Sequence, residues 1–348
     1  MLRQLTLNQN DLGEIQQLLE LLVEKFTTPE DPQFIHNASI YAHDLPLSIR
    51  QFFNDCRLNE ADDEVIYLIS GYPIDDQKIG LTPSNRSEKK DTPRTLEEQL
   101  LLALCGSLLG DLFGWATQQA GWIVHDILPV KGEDFEQMGS SSQVELSWHT
   151  EDSFHSYRCD YLGMMCLRNP NQGATSLASS QAVLKLDKKE IQILCEPRFI
   201  FRSDDSHLAE NQPTYLEQLE RAQTDGSLEA AYQRVNKMNT RPTPRPAFFG
   251  DSQQPYLCID SIYLKGIDEE ADRAAQALIK AVNDELTDLV LNPGDICFID
   301  NYRAVHGRRP FIPTYDGNDR WLKRINITRD LRKSRDRRIL GRKSRIIF

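Results

Sequence analysis

The sequence has no apolar run close to the ~18–20 residues that a membrane-spanning helix needs, so no segment supports a membrane protein. It has no CxxC pair, and its seven cysteines scatter from Cys56 to Cys297. This excludes a disulfide framework and a cysteine-rich zinc site, and it fits a reducing compartment. The opening Met1-Leu2-Arg3-Gln4-Leu5 passes into Asn, Asp and Glu without the apolar core of a secretory signal. A cytoplasmic protein is therefore expected, and the sequons at Asn37, Asn85 and Asn326 carry no meaning there. Internal repeats and low-complexity tracts are also missing.

What is present describes a globular chain. Its 348 residues are 40% hydrophobic and 26% charged, enough for one large domain or two ordinary ones. The net charge is −12, unevenly spread. From Arg320 onward, twelve Lys/Arg face two Asp, a net +10, which leaves −22 on the rest. A basic end can grip nucleic acid, but no helix-turn-helix, RNP or finger pattern accompanies it. We read it as a solvated or self-docked tail on an acidic body, with no nucleic-acid or membrane partner. The sequence sets no oligomeric state.

Residues 11–26 place apolar side chains on one helical face, and a second helical stretch covers 43–58. A short strand at 65–69 ends at Ser70-Gly71-Tyr72-Pro73, and 74–94 reads as a polar loop. Thr95-Leu96-Glu97-Glu98 reads as a capping box opening an apolar helix over 96–115. Beyond about 116 the texture changes to short β-prone segments: 122–128, 145–150, 161–167, 175–179, 198–202, 256–262, 296–300 and 321–328. Helical insertions at about 205–238 and 268–286 interrupt them. The expected fold is α+β: a double-stranded β-helix (jelly roll) core with surrounding helices. Residues 1–94 would pack N-terminal helical and mixed elements on a 95–348 core.

His149-Thr150-Glu151 lies in one of the β-prone segments, and residues i and i+2 of a strand share a face. An isolated HxE is far more often a surface feature than a site. A distant His306 completes two imidazoles and one carboxylate, the facial set of non-haem Fe(II) oxygenases. Arg320 follows fourteen residues later, beyond a turn at Asp316-Gly317-Asn318-Asp319. A guanidinium is the natural bidentate partner of a carboxylate, such as the distal one of 2-oxoglutarate. Thr175, 26 residues after His149, offers a hydroxyl donor to the same group. A zinc hydrolase with the same ligands has no use for that arginine. A non-catalytic jelly-roll binding protein is the remaining reading from another class.

Four segments carry a family resemblance: Phe113-Gly114-Trp115-Ala116-Thr117-Gln118-Gln119, Trp148-His149-Thr150-Glu151-Asp152-Ser153-Phe154-His155, Cys166-Leu167-Arg168-Asn169-Pro170, and Ile299-Asp300-Asn301 with Ala304-Val305-His306-Gly307-Arg308. Over about 95–345 the chain resembles the clavaminate synthase-like Fe(II)/2-oxoglutarate oxygenases. Within them it is most similar to the free amino acid hydroxylases of the viomycin arginine β-hydroxylase type. The resemblance implies iron at His149, Glu151 and His306, with 2-oxoglutarate and O2 as cosubstrates and Arg320 and Thr175 on the 2-oxoglutarate. It implies that Arg324 binds the substrate α-carboxylate, that Gln118 lies near its amine, that Glu151 also contacts the substrate, and that Asp260 takes a cationic side-chain end. The family's second acid falls on Cys258, a departure. The implied reaction is hydroxylation at C3 of a free cationic L-amino acid, L-arginine or a guanidino relative such as enduracididine. L-Lysine hydroxylation and arginine desaturation are the alternatives within the family. His155, Trp148, Phe154, Cys166 and Cys297 read as core, His125 and His207 show no partner pattern, and Asp300-Asn301 read as shaping the turn before His306.

Overall fold

The computed structural model describes residues 1–58, 63–85, 93–208, 227–251, 254–338 and 345–347. The first helix, Gln9–Val23, starts where Asn8 and Asp11 cap each other's backbone N–H groups. Its Ile15, Leu18, Leu19 and Leu22 form the buried stripe. Helices Pro32–Tyr41 and Leu47–Leu58 follow. The first of these was not expected, although Asp31 as cap and Pro32 in the first turn are a recognised start signal. The second begins four residues later than expected, after a 3-10 turn at Ala42–Asp44. The loop expected over 74–94 holds a one-turn helix, Asp76–Ile79, and 86–92 lie outside the described residues.

The apolar run after Thr95 divides in two. The helix is Leu96–Ser107 and the remainder is the strand Asp111–Trp115. At the break, a Cβ on Gly110 would sit 2.4 Å from the Thr328 carbonyl oxygen, so only glycine lets the backbone pass. The expected capping box does not form. Thr95 ends a 3-10 turn, Pro93–Thr95, with φ −104 and ψ 23, and its hydroxyl accepts from Gln99 Nε2 at 2.9 Å instead.

Two β-sheets stack in the centre. The larger runs Leu2–Thr6, Ile66–Ser70, Ile296–Asp300, Tyr161–Arg168, Trp321–Thr328, Asp111–Trp115, Ile346–Ile347, with Val124–Ile127 also on Trp321–Thr328. The smaller runs Thr287–Leu289, Thr175–Ser179, Ala304–Arg308, Leu146–His149. Pairing is antiparallel except at the two ends of the larger sheet. Alternation then sorts the side chains. Leu162, Met164, Cys166, Leu177, Ala304 and Leu322 meet in an apolar layer between the sheets. Trp321, Ile325 and Ile327 face the N-terminal helices, where Phe53 stands edge-on to Phe298 at 5.0 Å. Val305, Ala178 and Trp148 face the helix Glu269–Asn283, whose Ala271, Ala274, Ala275 and Leu278 cover the smaller sheet.

The expected strand 256–262 is regular only over Pro255–Leu257, after which the backbone turns. The insertion at 205–238 holds a 3-10 turn, Asp205–His207, and a helix, Ser227–Thr240, while 209–226 lie outside the described residues. Among the described residues no helix is long and apolar enough to cross a membrane.

Candidate active site

His149 ends one strand of the smaller sheet and His306 stands opposite it in register on the next. The ring centroids are 4.6 Å apart. Glu151 lies two residues beyond the strand end, in a turn that Asp152 closes with φ +51. Sequence alternation therefore named the right neighbours through a different backbone. Glu151 Oε2 lies 3.4 Å from His149 Nε2 and 3.2 Å from His306 Nε2. The three ligand atoms fall within 4.8 Å of one another. His149 Nδ1 bonds the Ser147 carbonyl at 2.8 Å, which fixes the ring and leaves Nε2 for a metal.

Asn301 holds the carboxylate residue from behind. It accepts the Glu151 N–H at 2.6 Å and donates Nδ2 to the Glu151 carbonyl at 3.1 Å. One side chain thus joins the turn before His306 to the other half of the triad. Burial pushes the Glu151 carboxyl up, but Arg324 and the two imidazoles outweigh it and hold the group well below the usual carboxylate range. Two imidazole nitrogens and one anionic oxygen suit a non-haem Fe(II) with open positions.

The triad opens into a cleft of about 1080 Å³, solvent at its mouth included. Arg320, Leu322 and Arg324 line it from one strand and its leading residue, as i, i+2, i+4 spacing requires. Arg320 is buried without a carboxylate partner among the described residues, and its Nε has no hydrogen bond. Burial pushes its guanidinium down to about 10. Such a charge calls for an anion, and Thr175 lines the same cleft. Arg308 lies nearby, its guanidinium over the same Phe311 ring as that of Arg320 and bonded to the Ser141 and Val144 carbonyls.

Arg324 donates to Glu151 Oε1 at 2.5 Å and to Gln118 Oε1 at 3.0 Å, and meets His125 Nδ1 at 2.9 Å. Gln118 in turn donates to Ser206 Oγ at 2.6 Å. Asp260 Oδ1 accepts the Ile262 and Tyr263 N–H groups at 2.8 Å each, so it anchors a turn and lines the cleft at once. Burial pushes its carboxyl up. Cys258 does not share that face: its Sγ donates to the Ser153 carbonyl at 3.1 Å inside the second core. Asp126 and Asp204 also line the cleft: Asp126 is engaged by Trp321 and Lys323, whereas the charge of Asp204 adds to the rise at Asp260. Asp204, Ser206 and His125 were missed from sequence because a turn and an edge strand leave no spacing signal. His207, read as lacking partners, pairs with Asp152. His155 is buried as expected.

A family model described as taurine catabolism dioxygenase TauD, TfdA family matches residues 110–326. The chain belongs to the TauD/TfdA family. It is an Fe(II)- and 2-oxoglutarate-dependent dioxygenase. It is 40% identical to the enduracididine β-hydroxylase of Streptomyces hygroscopicus over 99% of both chains. It is likewise 40% identical to the L-ornithine/L-arginine 3-hydroxylase of Catenulispora acidiphila over 96% of both. Among solved structures, the non-heme iron oxygenase OrfP with Fe, succinate and (3S)-hydroxy-L-Arg superposes with a TM-score of 0.91. That match has 35% identity and covers 99% of this chain and 100% of that one. The TauD/TfdA assignment removes the zinc hydrolase and the non-catalytic binding protein as readings.

Proposed function

We propose that this dioxygenase hydroxylates C3 of a free cationic L-amino acid, L-arginine or a guanidino relative such as enduracididine. The carrying observation is one cleft that holds the triad, a carboxylate-seeking arginine and two acids, Asp204 and Asp260. The names of the two relatives at 40% identity support the same substrate class.

In this reading His149, Glu151 and His306 hold the iron, and Arg320 with Thr175 holds the distal carboxylate of 2-oxoglutarate. Arg324 receives the substrate α-carboxylate, Gln118 and Glu151 the α-amine, and Asp260 with Asp204 the positive tail. When bound, the iron with 2-oxoglutarate and O2 supplies the oxidising power for C–H hydroxylation, with succinate and CO2 as co-products. The protein's own part is to clamp both ends of the amino acid. That clamp decides which carbon faces the metal, since a ~1 Å misplacement can cost on the order of 10²-fold in rate. The two stacked sheets are read as a distorted double-stranded β-helix, with the site in its mouth. A small-molecule, cytoplasmic enzyme fits this chemistry.

The test is a mass-spectrometric screen with Fe(II), 2-oxoglutarate and O2. L-Arginine, enduracididine, L-ornithine and L-lysine should separate from norleucine and glutamine. A +16 product from a cationic amino acid, mapped to C3, is expected. Equal turnover of norleucine removes the charge-based reading, and a −2 product replaces hydroxylation with desaturation.

A further inference from the structure

The segment 203–208 supplies Asp204 and Ser206 to the cleft while His207 points the opposite way, almost fully buried. Its ring lies 4.9 Å from Phe154 and 5.9 Å from Trp115. His207 Nε2 meets Asp152 Oδ1 at 2.8 Å, and His207 Nδ1 meets Thr117 Oγ1 at 2.7 Å. The other Asp152 oxygen accepts the Trp115 indole N–H at 2.5 Å. One residue before His207, Ser206 receives the Gln118 amide. Two consecutive residues, 206 and 207, are therefore buttoned side chain to side chain onto 118 and 117. The upstream end is fixed separately: Asn239 accepts the Ser203 N–H at 2.9 Å and donates to its hydroxyl at 2.8 Å.

Asp152 adopts its left-handed φ of +51 without being glycine, a conformation that persists only where the surroundings hold it. The two hydrogen bonds on its carboxylate do that holding. Glu151 and Asp152 thus face apart: one carboxylate turns to the triad, the next to the base of the 203–208 segment.

We propose that His207, through its buried pairing with Asp152 and Thr117, is a positioning residue that docks the segment 203–208 so that Asp204 faces the cleft beside Asp260. It sets affinity for the positively charged amino acid and touches neither metal nor 2-oxoglutarate. This rests on the cationic-substrate reading given above. The reasoning is mechanical. A buried hydrogen-bonded pair that loses one member leaves the other unpaired, and the docked segment carrying Asp204 and Ser206 is then released at that end. Thr175 and His306 sit on strands of the smaller sheet and Arg320 directly precedes Trp321–Thr328, so all three stay in place.

The experiment uses the full chain with His207→Phe, and Thr117→Val, which removes only the outer hydrogen bond. Amide hydrogen exchange of the ligand-free protein should accelerate about tenfold or more in 203–208 for His207→Phe, with 161–168 unchanged. The KM for L-arginine should rise about tenfold or more, while the KM for 2-oxoglutarate and the Fe(II) dissociation constant stay within about twofold. Succinate formed without hydroxylated product should increase. Thr117→Val should move each quantity the same way by less. Unchanged exchange in 203–208 overturns the proposal. So does an equal loss of Fe(II) or 2-oxoglutarate binding, which would place the pair in support of the metal turn instead. If the unaltered enzyme turns over no cationic amino acid, the substrate reading fails, and the exchange measurement still decides whether His207 docks the segment.

Discussion

Arg324 donates to Glu151 Oε1 at 2.5 Å, while the other oxygen of the same carboxylate lies 3.2 Å from His306 Nε2. One arginine therefore orients the carboxylate that lies between the two imidazoles and carries its positive charge into the cleft. Arg324→Met should raise the amino acid KM and lower kcat/KM by about 10²-fold or more, as for loss of a charge-assisted bidentate contact. The KM for 2-oxoglutarate should change far less, because Arg320 occupies a separate position just ahead of the strand. Steady-state kinetics with each substrate varied in turn will separate the two. A parallel rise in both constants would mean that Arg324 serves the cosubstrate.

Asp260 permits a clean charge test. Asn at this position keeps an oxygen to accept the Ile262 and Tyr263 N–H groups, so the turn survives. Only the negative charge is lost. Asp260→Asn should raise the KM for arginine about 10- to 100-fold, within the ~3–5 kcal/mol ceiling for breaking a buried pair, and leave that for 2-oxoglutarate unchanged. Asp204→Asn should act in the same direction. Normal arginine kinetics in both variants would remove the acid pair from specificity and leave the oxygenase assignment standing.

His149 and His306 were legible in the sequence because they ride on strands, where spacing translates directly into facing, while Glu151 sits in the turn just past one strand and Arg320 just ahead of another. His306 and His149 are register partners, and Arg320 and Arg324 repeat along one strand and its leading residue. Sequence reasoning failed where ladders end. Cys258 and Asp260 are two apart and would share a face in a strand. The ladder stops at Leu257, however, and Cys258 turns into the core. Asp204 has no periodic signal at all, since a 3-10 turn begins beside it. The run 96–115 misled for another reason: a buried helix and a buried strand are both uniformly apolar, so periodicity cannot find the border between them. Only the close passage of Gly110 past Thr328 marks it.

Arg320 is a buried cation awaiting an anion. Arg320→Met should raise the KM for 2-oxoglutarate about 10²-fold or more, since a desolvated carboxylate is left without its partner. Thermal stability without cosubstrate should hold or rise, because an unpaired buried charge has been removed. Succinate should raise the Tm of the parent enzyme and lose that effect in the variant. Retained stabilisation by succinate would move the dicarboxylate site elsewhere.

His155 makes stability depend on pH in a direction that its surroundings fix. Its ring lies edge-on to Trp115 at 4.5 Å, and Nδ1 accepts the Tyr157 N–H at 3.0 Å. Burial, with His207 and nearby arginines adding positive charge, pushes its pKa down to about 3. In the unfolded chain a histidine titrates near ~6.5. Between these values the unfolded state binds a proton that the folded state refuses. Stability is therefore complete above about 6.5 and falls as pH drops towards 3, by ~1.4 kcal/mol per pH unit for one proton. Asn can supply an acceptor in place of Nδ1 but does not titrate. His155→Asn should thus be less stable than the parent at pH 7, where packing against Trp115 is lost. The gap should narrow by about 2 kcal/mol on going to pH 5, as the parent alone loses this contribution. Urea denaturation of both proteins at pH 7, 6 and 5 measures the gap directly. A penalty that is constant over this range would mean that His155 titrates alike in the folded and unfolded states.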